Sequence, residues 1–204
     1  MAEDLISIIK NKKPDDIYNN MILGNDVWYF KNVIEPIPED PSGFYDEFKR
    51  YISSCLNIHL NNICIVGSAK TGFSFKTKDF NGFRLEDNGE IKASDIDIAV
   101  ICDKRFREFW NILLEMHQSG RYIRDYNNVC SGLFRRFVRT DVIPETYTYA
   151  QEWNEVTDSM IKDFQFKFGI FHKTSIRLYE SWDGLKNYQL GSIKRIQKEL
   201  LKGE

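Results

Sequence analysis

Two aspartates one residue apart, Asp95 and Asp97, sit in the stretch KASDIDIAVI. In an extended strand, residues two apart point to the same side. Ile96, Ile98 and Val100 therefore face one way, and the two carboxylates with Ala99 face the other. Like charges held that close are relieved by a shared proton or by a cation between them. Oxygen ligands without imidazole or thiolate favour a hard ion. Mg2+ (or Mn2+) suits such a pair when phosphate oxygens complete its shell. Upstream, the apolar stretch NNICIVG ends in Gly67, followed by Ser68. Gly67 admits a close approach of backbone to a ligand. Exposed N–H groups and the Ser68 hydroxyl could cradle phosphate oxygens where a turn or helix begins. A metal half beside a phosphate half describes phosphoryl or nucleotidyl transfer.

The same residues carry a resemblance. Gly67-Ser68 on one strand and Asp95-x-Asp97 on the next resemble the signature of the polymerase-beta-type nucleotidyltransferase superfamily. The segments VGSAKTGFSF, SDIDIAVI, FREFW, RTDVIP and SIRLYESWDGLKNY are similar to a group of small, stand-alone bacterial predicted nucleotidyltransferases. The similarity covers most of the chain after about residue 60, and its specific parts are the Gly-Ser and Asp-x-Asp motifs. It implies an α+β fold: a nucleotidyltransferase-like mixed sheet, helices packed on one face and a helical C-terminal segment. It also implies divalent ions bridging the carboxylates to a nucleoside triphosphate, whose monophosphate passes to a hydroxyl of a protein, an RNA or a small molecule. A polar insertion, KTKDFNGFRLEDNGEIKA, lengthens the segment between the two motifs beyond the compact pattern.

The superfamily needs a third carboxylate on a neighbouring strand. Along FRRFVRTDVIP, alternation puts Phe134, Val138 and Val142 on one face and Arg135, Arg139 and Asp141 on the other. If the apolar set faces helices, Asp141 lies on the open face with Asp95 and Asp97, as general base or third metal ligand. Asp125 and Glu145 are weaker rivals, because nothing sets them on a strand. Arg135, Arg136 and Arg139 could hold triphosphate or a polynucleotide, or be solvated charges with their stems on the sheet. Lys70 and Thr71 are read as phosphate contacts or surface residues.

The elements around these motifs follow from periodicity. Leu5, Ile6, Ile8 and Ile9 make a short helical stripe stopped by Pro14. Residues Phe44, Phe48, Tyr51, Ile52 and Cys55 predict a second helix, and DKRFREFWNILLEMHQSG a third, closed near Gly120. The proline-rich stretch NDVWYFKNVIEPIPEDPSG predicts an extended connector, and the polar insertion a loop or hairpin. From about Tyr147 to Leu201 the pattern predicts mostly helix, with Phe164, Phe168, Phe171, Ile176, Tyr179 and Leu185 in the core. Residues 1–145 then form the nucleotidyltransferase core with an N-terminal extension, and 146–204 the helical C-terminal segment.

Composition narrows the partners. The 204 residues are 42% hydrophobic and 14% aromatic, enough for a sizeable core, which argues against disorder. A formal net charge of -2 argues against a broad electrostatic grip on nucleic acid, although local basic clusters remain possible. The three histidines and four cysteines lack zinc-site spacing, and the cysteines read as reduced core thiols. No apolar run is long enough to span a membrane, and the N-terminus has no signal pattern, so a cytoplasmic protein is expected. The competing expectation is a non-catalytic nucleotide-binding or protein-interaction module on the same fold, such as an antitoxin-like partner.

Overall fold

The computed structural model describes residues 2–76, 79–87, 89 and 92–202. The chain opens with helices α1 (Ala2–Asn11) and α2 (Pro14–Ile17), the latter running into one π-helical turn at Tyr18–Ile22. Helix α3 (Trp28–Asn32) comes next, inside the stretch expected to be an extended connector. Burial explains the difference: Val27, Tyr29, Phe30 and Ile34 are core residues, and packing overrides the extended bias of the nearby prolines. Helix α4 (Pro41–Leu56) starts where Asp40 accepts hydrogen bonds from the backbone N–H groups of Ser42 and Gly43, at 3.1 and 3.0 Å. Pro41 stands at its first position, where no N–H is needed.

Strand β1 (Ile63–Val66) leads into the single turn of α5 (Ser68–Thr71). Phe73, just before the insertion, forms a small antiparallel bridge with Gly82 inside it, while residues 77, 78, 88, 90 and 91 of the expected loop or hairpin lie outside the described residues. Strand β2 (Ile96–Ile101) and helix α6 (Asp103–Gln118) follow as their patterns predict. Then come α7 (Tyr126–Phe134), the three-residue strand β3 (Phe137–Arg139), α8 (Thr148–Phe168), β4 (Thr174–Tyr179) and α9 (Trp182–Lys202).

The sheet is mixed, in the order β1-β2-β4-β3, with β2 and β4 parallel and both outer pairs antiparallel. Two sequence expectations change here. Strand β4 lies within the segment read as mostly helical, yet it is an interior strand, so the sheet is completed only by residues beyond 145. The run FRRFVRTDVIP is not one strand. Its start belongs to α7, and the backbone leaves β3 at Thr140 through a 3-10 turn, Thr140–Val142. That turn is pinned by Trp153, whose indole N–H donates to the Thr140 hydroxyl at 3.0 Å.

Helices cover both faces rather than one. Ile65, Ile98, Val100 and Leu178 pack with Phe48 and Ile52 of α4, Phe109 and Leu113 of α6, and Phe164 of α8. On the other face Cys64, Val66, Ala99 and Tyr179 pack with Ile9 of α1, Ile17 of α2, and Leu185, Ile193 and Ile196 of α9. Phe171, expected in the core, is 74% exposed. Of the four cysteines, expected as core thiols, Cys64 is buried, while Cys55, Cys102 and Cys130 are half-buried. No described helix is long and apolar enough to cross a membrane.

Candidate functional site

The pairing register brings the sequence motifs to one end of the sheet. Val66 lies opposite Asp97, and Ile96 opposite Thr174, while Arg139 at the end of β3 lies opposite Arg177. Because β1 and β3 run against β2 and β4, the ends of the first pair meet the beginnings of the second. The face carrying Asp97 is therefore graded. It is apolar under α9 at Ile101, Tyr179 and Phe137, and polar at the other end, where Asp97, Ser175, Arg177 and Arg139 stand.

A cavity of about 410 Å3 opens there against α8. Its walls include Asp95, Asp97 and Asp141, together with Asp158 of α8 and the cations Arg139, Lys173 and Arg177. The three acids singled out from sequence thus face one cavity. They do not form one cluster: among the described residues, no three His, Cys, Asp or Glu side chains stand close enough to share a metal ion. The topology explains the separation: β3 pairs with β4 and not with β2, so β4 stands between Asp97 and the turn just past β3 that carries Asp141.

The charge on Asp97 is met from the neighbouring strand. Its Oδ1 accepts from the Ser175 hydroxyl at 2.6 Å and from Arg177 Nη2 at 3.2 Å. Burial works against the Arg177 charge, but Asp97 and the tyrosines around it offset this and leave the guanidinium more firmly protonated than usual. Asp95 is exposed and, among the described residues, makes no hydrogen bond or ion pair. The donor set left open is Asp95 and the second oxygen of Asp97, two hard oxygen ligands. That number suits Mg2+ or Mn2+ with phosphate and water completing the shell.

Gly67 has φ 72° and ψ -155°, a conformation nearly confined to glycine, and a Cβ built there would stand 3.1 Å from Asp97 Oδ2. The backbone itself requires this glycine, apart from any ligand. Gly67→Ala is expected to cost about 1–3 kcal/mol of stability in urea unfolding without nucleotide; an unchanged midpoint would contradict the geometry. Lys70 is neither a contact of this cavity nor a surface residue. It is buried, donates to the Gly24 carbonyl and lies 5.3 Å from the Tyr45 ring centroid. Burial lowers its pKa to about 8. Thr71 turns inward to the Phe73 carbonyl, 2.7 Å away.

Asp141 is held by two arginines. Arg139 donates to both of its carboxylate oxygens, at 3.1 and 2.8 Å, and Arg124 to one at 3.2 Å. Asp125, one of the rival acids, takes the remaining arm of Arg139 at 2.9 Å. Partial burial pushes the Asp141 pKa up, but the hydrogen bonds and charges of Arg139 and Arg124 outweigh it, leaving the carboxyl below its ordinary range. A depressed carboxylate stabilises the fold fully above the unfolded value of about 3.9 and loses this as pH falls through the lower folded value. Wild type should therefore exceed Asp141→Asn by less than about 1 kcal/mol at neutral pH, the ion pairs being half-exposed. The difference should close as pH falls below the ordinary carboxylate range. A gap that widens in acid would contradict this arrangement.

Sequence reasoning missed Lys173, Ser175, Arg177 and Asp158. The alternation in TSIRLY was the available signal for the two strand residues, with Ile176 and Leu178 to one side and Ser175 and Arg177 to the other. Compared with protein-family models, curated proteins and solved structures, the chain matches none of them.

Proposed function

We propose that the chain is a metal-dependent nucleotidyltransferase that moves a nucleoside monophosphate from a nucleoside triphosphate to a hydroxyl of a protein, RNA or small-molecule acceptor. The observation that carries this reading is the contact between the two motif halves. The Gly67 turn lies against Asp97, although the long insertion separates them in sequence. Asp95 and the open oxygen of Asp97 would hold Mg2+ (or Mn2+), which would neutralise phosphate charge in this site. Arg177, Lys173 and Arg139 line the same cavity and offer donors to phosphate oxygens. Asp141, held ionised, would accept the proton of the attacking hydroxyl. The α-phosphorus–oxygen bond to the acceptor forms as the bond to pyrophosphate breaks.

A second reading rests on its own observation. Next to β2, strand β4 sets Ser175 and Arg177 where a third carboxylate would complete a two-metal set, and Arg177 already neutralises Asp97. The chain would then bind metal and triphosphate without transfer, as a sensing or protein-interaction module. Incubation with each labelled triphosphate and Mg2+ or Mn2+, with and without cell extract, separates the two. Release of pyrophosphate with label moved to an acceptor supports transfer. Metal-dependent binding without either supports the module. Absence of binding removes both.

A further inference from the structure

A second cavity, of about 370 Å3, lies between the α7–β3 turn and α9. Its charged side chains are all arginines: Arg135 and Arg136 from the turn and Arg195 from α9. Among the described residues, only Arg136 of the three has a carboxylate partner, Glu180 at 3.2 Å. Arg195 spends donors on the Phe75 and Lys76 carbonyls, and Arg135 lies 5.7 Å from the Tyr188 ring centroid. In a chain of net charge -2 this is a local concentration of positive charge. Beside it Phe134 is 91% exposed, an aromatic face left in water at the rim.

The two glycines that α9 contributes differ in their reasons. At Gly184 a Cβ would come 3.0 Å from the Arg136 Cβ, so packing requires the small residue. At Gly191 a Cβ would meet nothing within 4 Å, and the backbone does not adopt a positive φ. Glycine is the least favourable residue after proline for a helix interior. Here it fills no packing or conformational need, and its effect is to keep the groove open.

We propose that this groove binds single-stranded nucleic acid, with phosphodiesters on the arginines and a base on the exposed ring of Phe134. Guanidinium groups beside an open aromatic ring match phosphate beside base, which an acidic peptide does not offer. The groove shares a wall with the candidate site. Tyr188 Oη lies 3.5 Å from Arg177 Nη1, and Arg177 reaches Asp97 through its other nitrogen. A terminal hydroxyl of the bound strand is then the acceptor for the proposed transfer. That role rests on the transfer reading, whereas binding in the groove does not.

The test is fluorescence anisotropy with labelled single-stranded RNA and DNA of about ten nucleotides, in EDTA and without triphosphate, so that failure of the metal site cannot affect it. Wild type should bind, with affinity falling steeply between about 50 and 200 mM salt. Arg135→Ala should weaken binding several-fold and flatten the salt slope by about 0.7. Phe134→Ala should weaken it about tenfold. Gly191→Glu should abolish binding while melting at or above the wild-type temperature, and Gly191→Leu should reduce it without adding charge. Stronger binding of RNA than DNA, or the reverse, identifies the natural strand, and either result supports the groove. No binding by wild type at low salt would overturn the proposal. So would full affinity in Gly191→Glu, or equal affinity for a labelled acidic peptide.

Discussion

Asp95→Asn is expected to weaken Mg2+-dependent triphosphate binding by about 10²-fold and to leave the melting temperature unchanged. The two halves of this result have separate causes. Asp95 is exposed and has no partner among the described residues, so the fold does not depend on its charge. Its carboxylate is one of two open donors at the polar end of the sheet, and a neutral amide is a poor ligand for a hard cation. Asp97 is a less clean target. Asp97→Asn would disturb Arg177 and Ser175 as well as any ion, so lost binding there would mix folding with ligation. Calorimetry with and without chelator is the measurement. An affinity indifferent to both the substitution and the chelator would remove the metal from the site.

Asp141→Asn should retain triphosphate binding and lose transfer by about 10²-fold or more, as expected when a general base is removed. The side chains are nearly the same size, and the half-exposed ion pairs limit the stability cost, so a loss on this scale would not come from unfolding. Arg139 and Arg124 keep the carboxyl ionised through the neutral range, which a base requires, although they also make it a weaker one. A variant that transfers at the wild-type rate would reduce Asp141 to an anchor for Arg139. Asp158 of α8 is the fourth acid on the cavity wall, after Asp95, Asp97 and Asp141.

What could be read from the sequence was local. The strand motifs around Asp95 and Gly67 and the amphipathic helices α4 and α6 carry their periods within a few turns, and each formed where expected. Helix α3 was hidden because Pro36, Pro38 and Pro41 follow closely on a short apolar cluster whose helicity comes from burial. Strand β4 was hidden because Ser175 and Arg177, the residues it turns toward Asp97, are polar and long helical patterns flank it. The length of β3 depended on Trp153, thirteen positions beyond Thr140, reaching back to the turn. The partner of Asp97 was beyond any local reading. Arg177 lies 80 residues downstream, and only the strand order brings the two together.

That strand order also sets the timing of assembly during synthesis. Strands β1 and β2 can pair as soon as both leave the ribosome, but the inner edge of β2 then stays bare, a template for stray pairing. Its partner β4 closes a loop of 78 residues between Asp97 and Ser175, and such long-range pairing forms late. Until residue 177 emerges, the two aspartates carry their charge without the guanidinium, and the cavity beside them lacks its β4 wall. A nascent chain cut short before β4 is therefore left with an open sheet edge and is prone to aggregate. Strand β4 thus acts as a completion check on the strands made before it.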